Sequence, residues 1–410
     1  MPLRILHTFR TVDPEAGGPV ENVCQLLAVN RQLGHTIELL TLDAPDAPWL
    51  GRWGFPVHAV GPARGAQGYS SRYVPWLREH CAHYDCVVIH GLWEFNAIGT
   101  RQALRGTGVP YFVFLHGMLD PWFKAHFPFR HWQRWLNWAW TGYPLLRDAH
   151  AVFFTSEEER RRARESFWLY DCHEFVLRYG ATGVPAGMGE EVREEFLAAH
   201  PTLRGQRLFT CFGRLHPGDG LDLLIRAVRV LIENGQWARD SMRLVIAAPA
   251  EGAYPDLLRR LVDRAGVGDV VYWTGRLEER AKWGALRAAE VFVRPSHHEN
   301  FGIGIVEALS VGTPVLLAKG VLIWRDILND GAGLADHDTR GGCVRLLTHW
   351  IGLPVEARAA MRLRARHCFE ERYTAQSAAN VLASAIYLLI GVHRYGRWDR
   401  KPLKVESDFF

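Results

Sequence analysis

The segment Arg294 to Leu316, RPSHHENFGIGIVEALSVGTPVL, carries the densest chemical signal in the chain. An apolar strand ends at Pro295. A polar loop follows, in which Asn300-Phe301-Gly302 and Gly304 give the backbone freedom. A helix then starts, carries Glu307 and closes at Gly312-Thr313-Pro314. The first amides of a helix have no carbonyl partner within it, and the helix dipole favours negative charge there, so such a loop is a natural seat for a diphosphate. Glu299 lies in the loop and Glu307 a turn or so into the helix. Physics alone reads this as an anion-cradling loop flanked by two carboxylates, or as a plain strand–helix connection. His297-His298-Glu299 uses the vocabulary of metal ligands, but adjacent side chains point different ways on most backbones and no further ligand set has helical spacing, so no metal is expected. The chain has no G-x-S-x-G, C-x-x-C or P-loop, which leaves hydrolase, redox and NTPase classes without support.

The elements that must position this loop follow a rhythm of short apolar runs and longer segments of helical period. Strands are predicted at Leu3 to Phe9, Thr36 to Leu42, Cys86 to His90, Tyr111 to Leu115, Ala151 to Thr155 and Phe175 to Leu177. Between the first two lies a tight Gly17-Gly18-Pro19 loop and a helix from Val20 to Leu33, closed by Gly34. Ser156 and Glu159 form a capping box that opens another helix. The second half repeats the pattern, with strands at Arg207 to Phe212, Leu244 to Ala247, Val270 to Thr274, Val291 to Arg294 and Pro314 to Leu317. The helix Leu221 to Ile232 places Leu221, Leu224, Ile225, Val228, Leu231 and Ile232 on one stripe. Strand–helix–strand units imply parallel sheets. The break falls in the Gly- and Pro-rich stretch from Gly180 to Gly205. The expectation is α/β: two Rossmann-like doubly wound domains facing a central cleft, with the ligand in that cleft at the carboxyl ends of the strands.

The chain has 410 residues, which at about 150 per domain suggests two or three domains. Its formal net charge of +4 is too small to argue for a nucleic-acid partner, and none is expected. Seven scattered cysteines favour a reduced, cytoplasmic compartment. The N-terminal apolar stretch is too short for a signal peptide, and no run of about 18 apolar residues spans a membrane. Of the 16 tryptophans, five cluster in PWFKAHFPFRHWQRWLNWAWTGYP. There Trp132, Trp135, Leu136, Ala139, Trp140 and Tyr143 share a helical stripe, with Lys124, His126 and Arg130 just upstream. That stripe either packs on the N-terminal sheet or rests in a membrane interface, so a peripheral membrane contact through Trp122 to Tyr143 is one expectation.

The Glu-x7-Glu pattern of Glu299 and Glu307 resembles the retaining glycosyltransferases of family 4 (glycosyltransferase group 1), which have the GT-B fold. The resemblance covers nearly the whole chain. It includes Gly17-Gly18-Pro19, the His116-Gly117-Met118-Leu119-Asp120-Pro121-Trp122 segment, Gly213-Arg214-Leu215-His216-Pro217, Trp324-Arg325-Asp326-Ile327 and the turn from Asp330 to Leu334. The HGMLDPW and SHHENFG versions look like enzymes that build bacterial exopolysaccharides. The resemblance implies an acceptor domain over 1–180, a linker over 181–205, a nucleotide-sugar donor domain over 206–385, and a segment 386–410 returning to the N-terminal domain. It implies transfer of a hexose from a nucleotide diphosphate sugar to a glycan or lipid-linked acceptor hydroxyl, at the inner face of the membrane, without cofactor or metal. Catalytic roles fall on Glu299, His116 and Arg214. Donor binding falls on Gly17, Gly18, Arg214, Asn300, Phe301, Gly302, Ile303 and Glu307, with Glu307 gripping the ribose hydroxyls and Glu299 facing the donor sugar. Arginine suits the diphosphate because its planar fork matches phosphate oxygens and charge grows there as the bond breaks.

One departure stands out. The family usually carries a lysine where this chain has Asp219, so a cation that would bind diphosphate is an anion here. Three expectations compete. Asp219 points away and Lys282 or another base substitutes; the donor binds in a different pose; or the protein is a weak or inactive transferase that only binds nucleotide sugar. A nucleotide-sugar epimerase of the same fold is a further alternative.

Overall fold

The computed structural model describes residues 2–14, 18–213, 215–248 and 252–395. The chain divides into two compact units, one formed by residues up to Gly180 together with the helix from Ala375, the other by Ala181–Thr374.

The first unit holds a sheet of β1 (Arg4–Phe9), β2 (Thr36–Thr41), β3 (Val57–Ala59), β4 (Cys86–His90), β5 (Tyr111–Phe114), β6 (Ala151–Phe154) and β7 (Glu174–Val176) in the order β3-β2-β1-β4-β5-β6-β7. Every pairing is parallel. The central strands read as unbroken apolar runs such as Cys86-Val87-Val88-Ile89, buried at every position, because helices cover both faces. The second unit repeats the plan with β8 (Arg207–Phe212), β9 (Met242–Ala247), β10 (Val271–Trp273), β11 (Val291–Arg294), β12 (Val315–Ala318) and β13 (Gly333–Asp336), ordered β10-β9-β8-β11-β12-β13 and again parallel. Both sheets are doubly wound, as expected. Each has a switch point where successive strands part to opposite sides, between β1 and β4 and between β8 and β11.

Three expectations are corrected. The stretch 181–205 is not a linker: it belongs to the second unit and folds into the helix Glu190–Ala199, which packs against Glu279–Ala288. A Cβ added at Gly183, which is left-handed at φ +69°, would stand 2.5 Å from the Phe369 ring, so the glycine marks close packing. The chain returns to the first unit at Ala375, not at 386, and the helix Ala375–Tyr395 packs on Gly18–Gln32. The two crossing segments are bonded together, Ala181 N–H to the Tyr373 carbonyl at 2.8 Å. The capping box is only half present. Ser156 Oγ accepts from Glu159 N–H at 3.0 Å, but the Glu159 carboxylate turns to Thr155 and to the Gly117 amide at 2.6 Å.

Candidate functional site

At the switch point of the second sheet, the loop after β8 (213–220) and the loop after β11 (295–302) are joined. His297 N–H donates to the Gly218 carbonyl at 2.9 Å. Gly220 is left-handed at φ +68°, and a Cβ there would stand 2.2 Å from the Pro295 carbonyl oxygen, so no other residue fits without a shift.

Arg294, the last residue of β11, fills the junction. Nη1 donates to the Phe212 carbonyl at 2.6 Å at the end of β8. Nη2 donates to Asp219 Oδ1 at 3.0 Å and to Glu299 Oε2 at 2.6 Å. Burial opposes this charge, but Glu299 and Asp219 outweigh it and hold the guanidinium above the usual arginine range. Asp219 also accepts from His216 N–H at 3.0 Å through Oδ2, while His216 Nδ1 accepts from Gly218 N–H at 3.0 Å, which caps the turn Pro217–Asp219. The anion at 219 is therefore built into its own loop and met by an internal cation. Lys282, expected as one stand-in for the absent lysine, pairs instead with Glu307 at 2.7 Å.

Glu299 is held on three sides. Its N–H donates to the Gly320 carbonyl at 3.0 Å, its carbonyl accepts from Leu322 N–H at 2.8 Å, and its carboxylate meets Arg294. Gly302, left-handed at φ +71°, turns the chain into the helix Ile303–Ser310, which carries Glu307 on a buried face. The Phe301 ring is buried, edge-on to Tyr373 at 6.0 Å, which leaves its backbone as the part able to serve a ligand. Asn300, Gly302 and Ile303 are partly exposed along the same edge. The histidines diverge: His297 Nδ1 lies 2.9 Å from Asp338 Oδ2, a bond that raises the His297 pKa. Arg214 and Gly17 lie outside the described residues, and Gly18 is the first residue of Gly18–Gln32. The arrangement sets a helix start, a carboxylate and a lysine along one carboxyl edge, the makings of an anion and hydroxyl site.

The switch point of the first sheet is built differently. His116 follows β5 at φ +53°, and both its ring nitrogens are taken. Nδ1 lies 2.6 Å from the Tyr179 hydroxyl and Nε2 lies 3.0 Å from His90 Nδ1. His90 Nε2 in turn lies 2.9 Å from His7 Nδ1. Burial pushes the pKa of His7 and of His116 down to about 3, and His90 is lowered by burial first and by its histidine neighbours second.

In the tryptophan-rich stretch, the helices Trp122–His126 and Pro128–Asn137 have no buried residue. Trp138 is the tryptophan that packs: it is buried, stacks on Phe167 at 4.0 Å and donates through Nε1 to the Leu169 carbonyl at 2.6 Å. The Trp132, Trp135, Leu136 and Trp140 side chains stay exposed, with Trp140 at 77%, so the packing reading of that stripe fails apart from Tyr143, which packs against the core.

The model for glycosyl transferases group 1 matches residues 192–366, and the model for the glycosyl transferase 4-like domain matches residues 17–171. The chain belongs to the group 1 glycosyltransferases. It is 32% identical over 183 residues to the D-inositol 3-phosphate glycosyltransferase of Streptomyces avermitilis, covering 42% of this chain and 39% of that protein. It is 34% identical over 132 residues to the same-named protein of Kineococcus radiotolerans, covering 32% and 30%. The matched stretches thus span well under half of those relatives. Among solved structures it is similar to Anabaena HepE in complex with UDP and glucose, with TM-score 0.71 and 16% identity, covering 94% of this chain and 100% of that one. It is also similar to sucrose-phosphate synthase of Thermosynechococcus elongatus, with TM-score 0.73 and 17% identity, covering 95% and 100%. At such identities the likeness shows the fold, which is GT-B.

Sequence reasoning singled out Glu299, Glu307, Asp219, Lys282 and His116 but missed Arg294, His7, His90 and Tyr179. The available signal was a polar residue inside an apolar strand, as in VFVR, VVIH and LHTF. The pairing of Asp219 with Arg294 reverses the sign expected of the lysine substitution. Asp219→Lys sets an ammonium against a buried guanidinium and deletes the cap. It is expected to lower unfolding free energy by about 3 kcal/mol, with Asp219→Asn costing less. Urea denaturation checks this; a lysine variant as stable as the parent contradicts the pairing.

Proposed function

We propose that this chain is a retaining glycosyltransferase that moves a hexose from a nucleotide diphosphate sugar to a hydroxyl of a glycan or lipid-linked acceptor in polysaccharide biosynthesis. The observation that carries the reading is the carboxyl edge of the second sheet, where Gly302 opens a helix start beside Glu299 and the Lys282–Glu307 pair. Glu307 serves the ribose hydroxyls and the amides after Gly302 serve the diphosphate, with Arg214 adding positive charge. Glu299 presents the carboxylate oxygen left by Arg294 to the donor sugar. As the bond from the anomeric carbon to the diphosphate breaks, the acceptor oxygen bonds that carbon on the same face. The acceptor proton passes to the departing diphosphate. Such a path needs no pair of glycosidase-spaced carboxylates. The bond from Arg294 to Asp219 supports the transferase reading over a nucleotide-sugar binder that has lost its chemistry. HepE was solved with UDP-glucose, which makes uridine diphosphate sugars the first donors to try.

Of these acceptors, a lipid-linked one met at an anionic membrane surface is favoured by one stretch of the chain. Residues 121–147 contain no carboxylate but hold Lys124, Arg130, Arg134 and Arg147, and the exposed rings of Phe129, Trp132, Trp135 and Trp140 lie in the same stretch. No helix among the described residues is long and apolar enough to cross a membrane, so the contact is peripheral.

The catalytic reading is tested by nucleoside diphosphate release from UDP-, GDP- and ADP-sugars. Slow release from one donor is expected, with Glu307→Gln raising its KM by roughly 10–100-fold, the worth of a hydrogen bond to a charged group. The absence of both release and nucleoside diphosphate binding would overturn it. The surface is tested by flotation with phosphatidylglycerol vesicles. The protein is expected to float with them at low salt, and a Trp132→Ala/Trp135→Ala/Trp140→Ala variant to stay behind. Equal flotation of both proteins, or of neither, contradicts it.

A further inference from the structure

Four side chains at the switch point of the first sheet form one continuous hydrogen-bonded line. It runs from the Tyr179 hydroxyl to His116 Nδ1 (2.6 Å), from His116 Nε2 to His90 Nδ1 (3.0 Å), and from His90 Nε2 to His7 Nδ1 (2.9 Å). His7 lies on β1, His90 ends β4 and His116 follows β5, so the line crosses three neighbouring strands at their carboxyl side. The rings lie nearly parallel. His116 stacks on His90 at 20°, His90 on His7 at 23°, and Phe9 and Phe114 lie against His90 at 6° and 7°. His7, His90 and Tyr179 are buried, and His116 is partly so.

A neutral imidazole has one N–H and one bare nitrogen. In a line where each inner ring uses both nitrogens, the proton position on one ring dictates that on the next. Only two neutral arrangements satisfy all three bonds. Either every histidine carries its proton on Nε2 and Tyr179 donates, or every histidine carries it on Nδ1 and Tyr179 accepts. A phenol is a stronger acid than a neutral imidazole N–H, and the bare imidazole nitrogen is a stronger base than a phenol oxygen, so the first arrangement wins. His7 Nε2 has no protein partner among the described residues in either arrangement and does not decide between them. An imidazolium at one ring would also satisfy the three bonds, with Tyr179 accepting, but the rings lie buried among Phe9 and Phe114, and burial opposes a charge on all three histidines.

We propose that Tyr179, His90 and His7 are positioning residues that lock His116 as a neutral imidazole protonated on Nε2, its orientation fixed by bonds to both nitrogens. Held in this way, His116 presents a ring face and edge to its surroundings and has no nitrogen to spare for proton transfer. The line would supply a fixed aromatic wall where the family resemblance sets a histidine near the reacting sugar. That bearing on transfer rests on the function proposed above, whereas the tautomer itself does not.

The test is nitrogen NMR of the full chain labelled with 15N-histidine, with no donor or acceptor present, so its outcome is independent of the transferase reading. Among the 19 histidines, the three are assigned by the signals that disappear in His7→Gln, His90→Gln and His116→Gln. At neutral pH all three are expected to show an unprotonated Nδ1 and a protonated Nε2. Tyr179→Phe, which removes one hydroxyl from the ring, is expected to shift the His116 Nδ1 resonance. Unlike tautomers within the line, a common Nδ1–H form or an imidazolium would overturn the proposal. So would a Tyr179→Phe spectrum with His116 unmoved; the parent protein alone decides the tautomer should that variant fail to fold.

Discussion

The guanidinium of Arg294 is the constraint on which the switch point of the second sheet depends. A doubly wound sheet leaves a gap at its switch point because the chain departs from β8 and β11 towards opposite sides. Something must hold the two departing loops in register. Arg294 does so by bonding the carbonyl at the end of β8 and one carboxylate from each loop. A buried cation of this kind is tolerable only when it is paired, and here a carbonyl and two carboxylates meet it. The cost falls on Asp219 and Glu299, each of which surrenders part of a carboxylate to structure. The acidic residue at 219 thus organises its loop from within.

The first sheet meets the same topological problem with neutral groups. His7, His90, His116 and Tyr179 bridge β1, β4 and the loop after β5 without a charge among them. Asn96 reinforces the junction, its amide donating to the Thr8 carbonyl at 3.3 Å and the His90 carbonyl at 3.2 Å. A charged clamp is strong but repels or attracts ligands over a distance. A neutral line fixes geometry without imposing a field. One chain thus carries an electrostatic and a non-electrostatic solution to the same gap.

Much of this was legible in residue order. Buried parallel strands leave apolar runs with sharp ends, and nearly all the predicted strands lie within a residue or two of their observed limits. The strands not anticipated, Val57–Ala59 and Gly333–Asp336, are short edge strands with half-buried positions, too brief for period to register. The linker was misplaced because Gly183 and Gly187 punctuate turns inside a packed segment, and glycine content alone does not separate a tight turn from a tether. Glu299 and Glu307 were readable from local spacing. Arg294 was not, since its bond to Asp219 spans 75 positions. The histidine line was invisible for the same reason: its members are adjacent in the sheet and 26 to 83 residues apart in the chain.

The account stands or falls on whether Arg294 couples the two loops. A double-mutant cycle with Asp219→Asn and Glu299→Gln, read by urea unfolding, measures this directly. Either single change leaves one carboxylate on the guanidinium, whereas the double change leaves none and also no longer relieves any repulsion between the two acids. The double variant should therefore lose more stability than the sum of the singles, by about 0.5–3 kcal/mol, the range for residues sharing one partner. Losses that simply add would show that Asp219 and Glu299 act independently, and that Arg294 is not the tie on which the site is built.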